Sequence, residues 1–209
     1  MPLSPGLAGS ARSAGGDATP EVLAADIGGT HARFAIAARA PDGAILLSHL
    51  GIRPVAAHDG PASALIAWAR NLDRPLPRRL VLAVACPPGG ERLQPANSPW
   101  EICPAALAEG LGLELAGVLN DAEAVARALP VLPEGALVPL FGPDRPLSRA
   151  GIVSVLVPGT GLGAAIVLRT AGAAQVVATE AGHIGFAPAD PFEDRLVEAL
   201  RTCHGRVSV

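Results

Sequence analysis

The stretch VLAADIGGTHARFAIAA, residues 22–38, decides the fold. Val22–Asp26 is a short apolar run ending on a carboxylate, and Ala32–Ala38 is β-leaning with partial alternation. The link around Gly28-Gly29 is too short for a helical crossover, so the two runs pair as a hairpin. The turn cluster Ala40-Pro41-Asp42-Gly43 leads to a third strand over Ile45–Leu50.

Working outward, Pro61–Asn71 turns helical, with Leu65, Ile66, Trp68 and Ala69 on an apolar face. Arg79–Ala85 and Leu115–Leu119 are apolar without alternation, the pattern of buried strands. Pro104–Leu111 suits a short helix closed by Gly110 and Gly112, and Ala122–Leu129 a helix stopped by Pro130. Val131–Arg149, dense in Pro and Gly, reads as a connection between domains. A second hairpin follows, with strand Ile152–Val157, turn Gly159–Gly163 and returning strand Ala164–Leu168. Gln175–Thr179 adds a strand, and Phe192–Thr202 an amphipathic helix. The pattern predicts an α/β fold with mixed parallel and antiparallel strands. The expected division is a disordered leader over 1–20, a small lobe over 21–131 and the first part of a larger lobe over 132–209.

Half of the 209 residues are apolar and 17% are charged, which is enough for a real core. The net charge of −3, without any Lys/Arg-rich run, argues against a nucleic-acid partner. Cys86, Cys103 and Cys203 are odd in number and lack ligand spacing, so they read as reduced thiols of a cytoplasmic protein. Met1–Pro20 lacks the apolar segment of a secretory signal. No apolar run reaches the roughly 18 residues of a membrane span.

The candidate chemistry lies at the turns. Gly28 and Gly29 let backbone N–H groups approach a phosphate, and Thr30 adds a hydroxyl. Asp26 is placed to hold Mg²⁺ through water, and Arg33 to aid neutralisation. A plain tight turn explains the same glycines. The second hairpin is another backbone cradle, but neither a Walker A loop nor a good dinucleotide fingerprint. Asp121, at a strand end, can take the proton of an attacking hydroxyl, while Asn120 and Asp121 equally suit a helix cap. Glu180 and His183 form a polar island of the kind that recognises sugars, although an isolated histidine is more often packed or exposed than a ligand. Asn97 either reaches substrate or stabilises the turn before Pro99, and Trp100 is a packing anchor.

In their order, LAADIGGTHARFAIA (23–37), AVACPPGGERLQPANSPWEI (83–102), VLNDAEAVARALP (118–130), PGTGLGAA (158–165) and TEAGHIGFAP (179–188) resemble bacterial glucokinases of the hexokinase/actin-like ATPase superfamily. The resemblance implies a ribonuclease H-like fold with mixed-sheet lobes around a cleft. It also implies ATP-dependent phosphorylation of D-glucose with Mg²⁺. It assigns Asp26, Gly28, Gly29, Thr30, Thr160 and Gly161 to Mg-ATP, and Asp121 to the base that deprotonates the sugar 6-hydroxyl. Asn120, Glu180 and His183 match glucose-binding positions, with Asn97 in support. His31 departs from the usual Asn, Val157-Pro158 from Gly-x, Ala181 from Gly, and Gly185 from a frequent Asp. Family members continue past Gly205–Val209, so the chain is expected to be a C-terminally truncated piece with impaired activity. A full-length protein could pair as a homodimer. The rival readings are a related hexose or N-acetylhexosamine kinase, disfavoured by the lack of a Cys-x-Cys-Gly cluster, and a non-catalytic sugar-binding remnant.

Overall fold

A computed structural model describes residues 20–208 apart from 96, 134, 144–146, 149 and 160. β1 (Glu21–Ile27) and β2 (His31–Arg39) form the expected hairpin, and β3 (Ile45–Pro54) extends it antiparallel. β4 (Arg79–Val84) joins β1 in parallel and β5 (Glu114–Asn120) joins β4 in parallel, giving a mixed sheet of order β3-β2-β1-β4-β5. Alternate residues Leu23, Ala25 and Ile27 of β1 and Leu80, Leu82 and Val84 of β4 point into one core. This period of two is what a sheet with one packed face requires.

The helices α1 (Pro61–Ala69) and α2 (Pro104–Gly110) both start on a proline at the first helical position. From α1, Ala64, Leu65 and Trp68 are buried, and Trp68 stacks on Phe34 with ring centroids 5.5 Å apart. The Trp68 indole N–H donates to the His49 carbonyl at 2.9 Å. β3 runs four residues past the expected Leu50, because an irregularity in its pairing with β2 lets Gly51–Pro54 continue the ladder. His49, at φ 54, lies in that irregular stretch. Trp100 is buried as an anchor, its indole donating to the His58 carbonyl at 3.0 Å.

A second sheet is an antiparallel meander of β6 (Gly151–Pro158), β7 (Leu162–Thr170) and β8 (Ala173–Thr179). α3 (Asp121–Ala128) follows β5 in sequence but turns its buried Ala122 and Ala126 toward Ala165 and Val167 of this sheet. α4 (Pro191–His204) is capped by Asp190, whose carboxylate accepts from the Phe192 and Glu193 amides. After α4, Ser208 bridges back to Gly185 and Val207 accepts from the Phe186 amide at 3.2 Å. No helix among the described residues is long and apolar enough to cross a membrane.

Candidate functional site

β1, β4 and β5 run parallel and end in register: Ile27 pairs with Val84, and Val84 with Asn120. Three segments therefore leave one sheet edge side by side: the first glycine turn, Ala85-Cys86 and Asn120-Asp121. With neighbouring strands about 4.8 Å apart, Ile27 and Asn120 lie about 10 Å apart. The carboxyl ends of parallel strands are where such sheets bind ligands.

Asn120 caps α3, its Oδ1 accepting from the Ala122 and Glu123 amides at 3.0 and 3.3 Å. Its Nδ2 donates to the Cys86 carbonyl at 3.5 Å. Both acceptor lone pairs are thus engaged, and one amide proton remains to offer a ligand. Asp121 is the first helical residue, and its Oδ1 accepts from the Ala122 amide at 2.8 Å. Its Oδ2 has no hydrogen bond among the described residues and sits at a helix N-terminus, where an anionic group is favoured. The capping contacts fall on the two Oδ1 atoms of this pair and leave Asp121 Oδ2 open among the described residues.

At the first turn the Gly28 amide donates to the His31 carbonyl at 3.0 Å, which closes the hairpin. The Thr30 carbonyl is tied to the Val55 amide at 2.9 Å, and its hydroxyl lies 3.0 Å from His31 Nδ1. Gly29 stands between them in the turn. Asp26 and Arg33 face each other across the hairpin, with Arg33 Nη1 donating to Asp26 Oδ2 at 2.9 Å. Both side chains are about half exposed, at 42% and 49%, so the pair is accessible and cheap to rearrange. In the second turn the Gly159 amide donates to the Gly161 carbonyl at 2.8 Å, and the Cβ position of Gly161 faces open space. Thr160 lies outside the described residues.

Glu180 precedes a 3-10 turn, Ala181–His183, that follows β8. His183 Nε2 lies 3.7 Å from Glu180 Oε2, and both side chains are exposed. Arg206 donates to the His183 carbonyl. Asn97 is exposed at φ 57 in the loop between β4 and α2, and no contact among the described residues joins its side chain to the other candidates.

Sequence reasoning missed Cys86. Burial pushes its thiol above the ordinary range, the Asp121 and Glu180 carboxylates push it further, and the Gln94 main-chain amide pulls it back. One thiol therefore feels both the carboxylate at the start of α3 and the one after β8. The signal available was position: Cys86 follows β4 as Asp121 follows β5. Among the described residues no group of three or more His, Cys, Asp or Glu side chains could hold a metal unaided.

A mixed sheet, a second hairpin-led sheet and a helix cap at their junction form the architecture of the actin- and hexokinase-like ATPases. A crystal structure of a glucokinase from an Antarctic psychrotroph is similar with a TM-score of 0.70 and 29% identity, over 90% of this chain and 59% of that one. The glucokinase of Balamuthia mandrillaris, solved in complex with glucose, shares the fold at a TM-score of 0.65 and 22% identity, over 92% of this chain and 57% of that one. The Glucokinase family model matches residues 23–209, and the chain belongs to that family. The Zymomonas mobilis glucokinase is 43% identical over 192 residues, which is 90% of this chain. The chain spans 58% of that relative's length.

Proposed function

We propose that the chain carries the base, the phosphate hairpins and a sugar-facing turn of a glucokinase. The whole enzyme would transfer the γ-phosphoryl group of ATP to the 6-hydroxyl of D-glucose. The reading rests on Asp121 leaving the same sheet edge as the first glycine hairpin, at the carboxyl ends of parallel strands, in a chain of the glucokinase family.

Asp121 Oδ2 takes the hydroxyl proton as the sugar oxygen bonds to the γ-phosphorus. The bond from that phosphorus to the ADP oxygen breaks, and ADP departs. Asn120 offers its remaining amide proton, while Glu180 accepts from and His183 donates to other sugar hydroxyls, with Asn97 in support. Amides and hydroxyls at Gly29, Thr30, Thr160 and Gly161 hold phosphate oxygens, and Gly28, its own amide closing the hairpin on His31, leaves room for their approach. Arg33 swings from Asp26 toward their charge. Asp26 has a half-exposed carboxylate with Oδ1 unpaired among the described residues, which suits Mg²⁺ held through water. That ion, arriving with ATP, supplies charge neutralisation at the phosphates. We take glucose 6-phosphate to enter glycolysis in the cytoplasm, where Cys86, Cys103 and Cys203, all free, stay reduced.

Calorimetry on the purified chain tests the sugar site. D-glucose should bind saturably, and Glu180→Gln should weaken it about tenfold or more, the loss of a charged hydrogen bond. Glucose-dependent ADP release should fall about 10²–10⁴-fold in Asp121→Asn. Absence of glucose binding, or unchanged turnover in Asp121→Asn, would sink the reading.

A further inference from the structure

Gly182 sits in the middle of the Glu180–His183 turn and is buried. A Cβ built on it would lie 1.6 Å from the Leu162 carbonyl oxygen and 2.7 Å from the Leu162 carbonyl carbon. Its φ lies outside the left-handed region, so close approach, rather than backbone strain, demands glycine here. Leu162 opens β7 directly after Gly161 of the second glycine turn. The next residue, Gly163, has its Cβ position 3.1 Å from the Ala122 Cβ, one residue beyond Asp121. Thr179 Oγ1 donates to the Ala164 carbonyl at 3.0 Å, and the amides of His183 and Ile184 close the turn on Glu180 and Ala181. The sugar-facing turn thus meets the hairpin backbone to backbone, and the hairpin in turn lies against the Ala122 side chain at the start of α3.

We propose that Gly182 is a positioning residue that ties the Glu180–His183 turn to the second glycine hairpin through Leu162, so that phosphate and sugar binding are coupled. The proposal rests on the sugar-kinase reading above and goes beyond it. A phosphate held at Gly161 fixes the adjoining Leu162, and Leu162 fixes the turn, because backbone against backbone leaves no flexible side chain to absorb a shift. Glucose held by Glu180 and His183 acts on the hairpin in return, since coupling is reciprocal. In Gly182→Ala the two segments must part by an ångström or more, a displacement of the size that costs about 10²-fold at a site.

The test uses the 209-residue chain, with D-glucose and the ATP analogue adenylyl imidodiphosphate plus Mg²⁺ as probes in calorimetry. In the wild type the analogue should raise glucose affinity about fivefold or more. Gly185→Ala should leave both affinities and the coupling unchanged, since its added Cβ meets nothing within 4 Å. Gly182→Ala, judged folded by its melting transition, should weaken glucose by about tenfold or more and bring the coupling factor to about one, with analogue affinity nearly unchanged. Amide exchange on the wild type gives a second readout that needs no variant: the analogue should slow exchange at the His183 and Ile184 amides. Folded Gly182→Ala with wild-type coupling, or no change at those amides, overturns the proposal alone. A wild type that binds neither probe overturns the kinase reading and the proposal with it.

Discussion

Beneath the five-stranded sheet eighteen described residues are buried in one cluster, from Leu23 to Ala108, whereas beneath the three-stranded sheet only Ala122, Ala126, Ala165 and Val167 are. The first set includes Phe34, Trp68 and Trp100, while the second contains nothing larger than valine. On the second sheet Ile152 and Leu156 remain 72% and 63% exposed. Apolar area removed from water dominates folding energetics, so stability is concentrated in the first sheet. The second is located instead by close approach of glycine backbone, Gly163 to the Ala122 side chain and Gly182 to the Leu162 main chain. One region supplies stability and the other supplies position, and the candidate site takes residues from both.

Paired truncations probe this contrast most strongly. Phe34→Ala removes a ring that is 1% exposed and stacked on Trp68, and should cost about 3–5 kcal/mol in urea unfolding. Val167→Ala removes two methyl groups and should cost about 1.6 kcal/mol. Both tryptophans lie in the first core, so fluorescence follows that sheet alone, while far-ultraviolet circular dichroism follows both. Val167→Ala should move the dichroism transition more than the fluorescence one. Equal costs for the two truncations would break the comparison.

Asn120 stands where the two regions join, and its loss has a smaller expected effect. Asn120→Ala removes the cap of α3 and should lower stability by about 1 kcal/mol, with Asn120→Asp restoring most of it. A cost within error in thermal unfolding would mean that α3 is held by the second sheet without its cap.

The Asn-Asp pair also shows what was legible in the sequence. Its place at the end of β5 and the start of α3 followed from an apolar run meeting a helical one, because both periods are local. The β1–β2 hairpin followed from linker length alone. β3 was cut short at Leu50 because its irregular pairing interrupts the alternation, and the pairing of Gly51 onward depends on β2 and on the Trp68 ring above it. The 3-10 turns at Val55–Ala57 and Ala181–His183 are three residues long and carry no periodicity. The Asp26–Arg33 pair was missed although the hairpin register implies it, since each residue had been assigned to a ligand. Gly182, and the surroundings of Cys86 as distinct from its position after β4, were hidden for a different reason. What constrains them is tertiary: a carbonyl twenty residues earlier in the chain for one, two carboxylates from separate segments for the other.

Cys86 provides the finest probe of how the regions meet, because its thiol follows β4 of the first sheet and feels Glu180 after β8 of the second. Its proton is held more tightly than the ordinary value of 9.0 implies, so at pH 8 little of it is the reactive thiolate. Iodoacetamide followed by mass spectrometry should label exposed Cys203 first and Cys86 about tenfold more slowly or slower still. The pH dependence has a definite sign. The folded pKa is raised, so the unfolded thiol ionises first, and stability falls as pH rises through 9.0 toward the folded value. Glu180→Gln and Asp121→Asn each remove a charge that raises this pKa, and each should speed labelling. Val167→Ala should also speed it if loosening the second sheet draws Glu180 away. Labelling of Cys86 as fast as Cys203, or indifferent to both carboxylates, would mean that the two regions do not meet at this thiol.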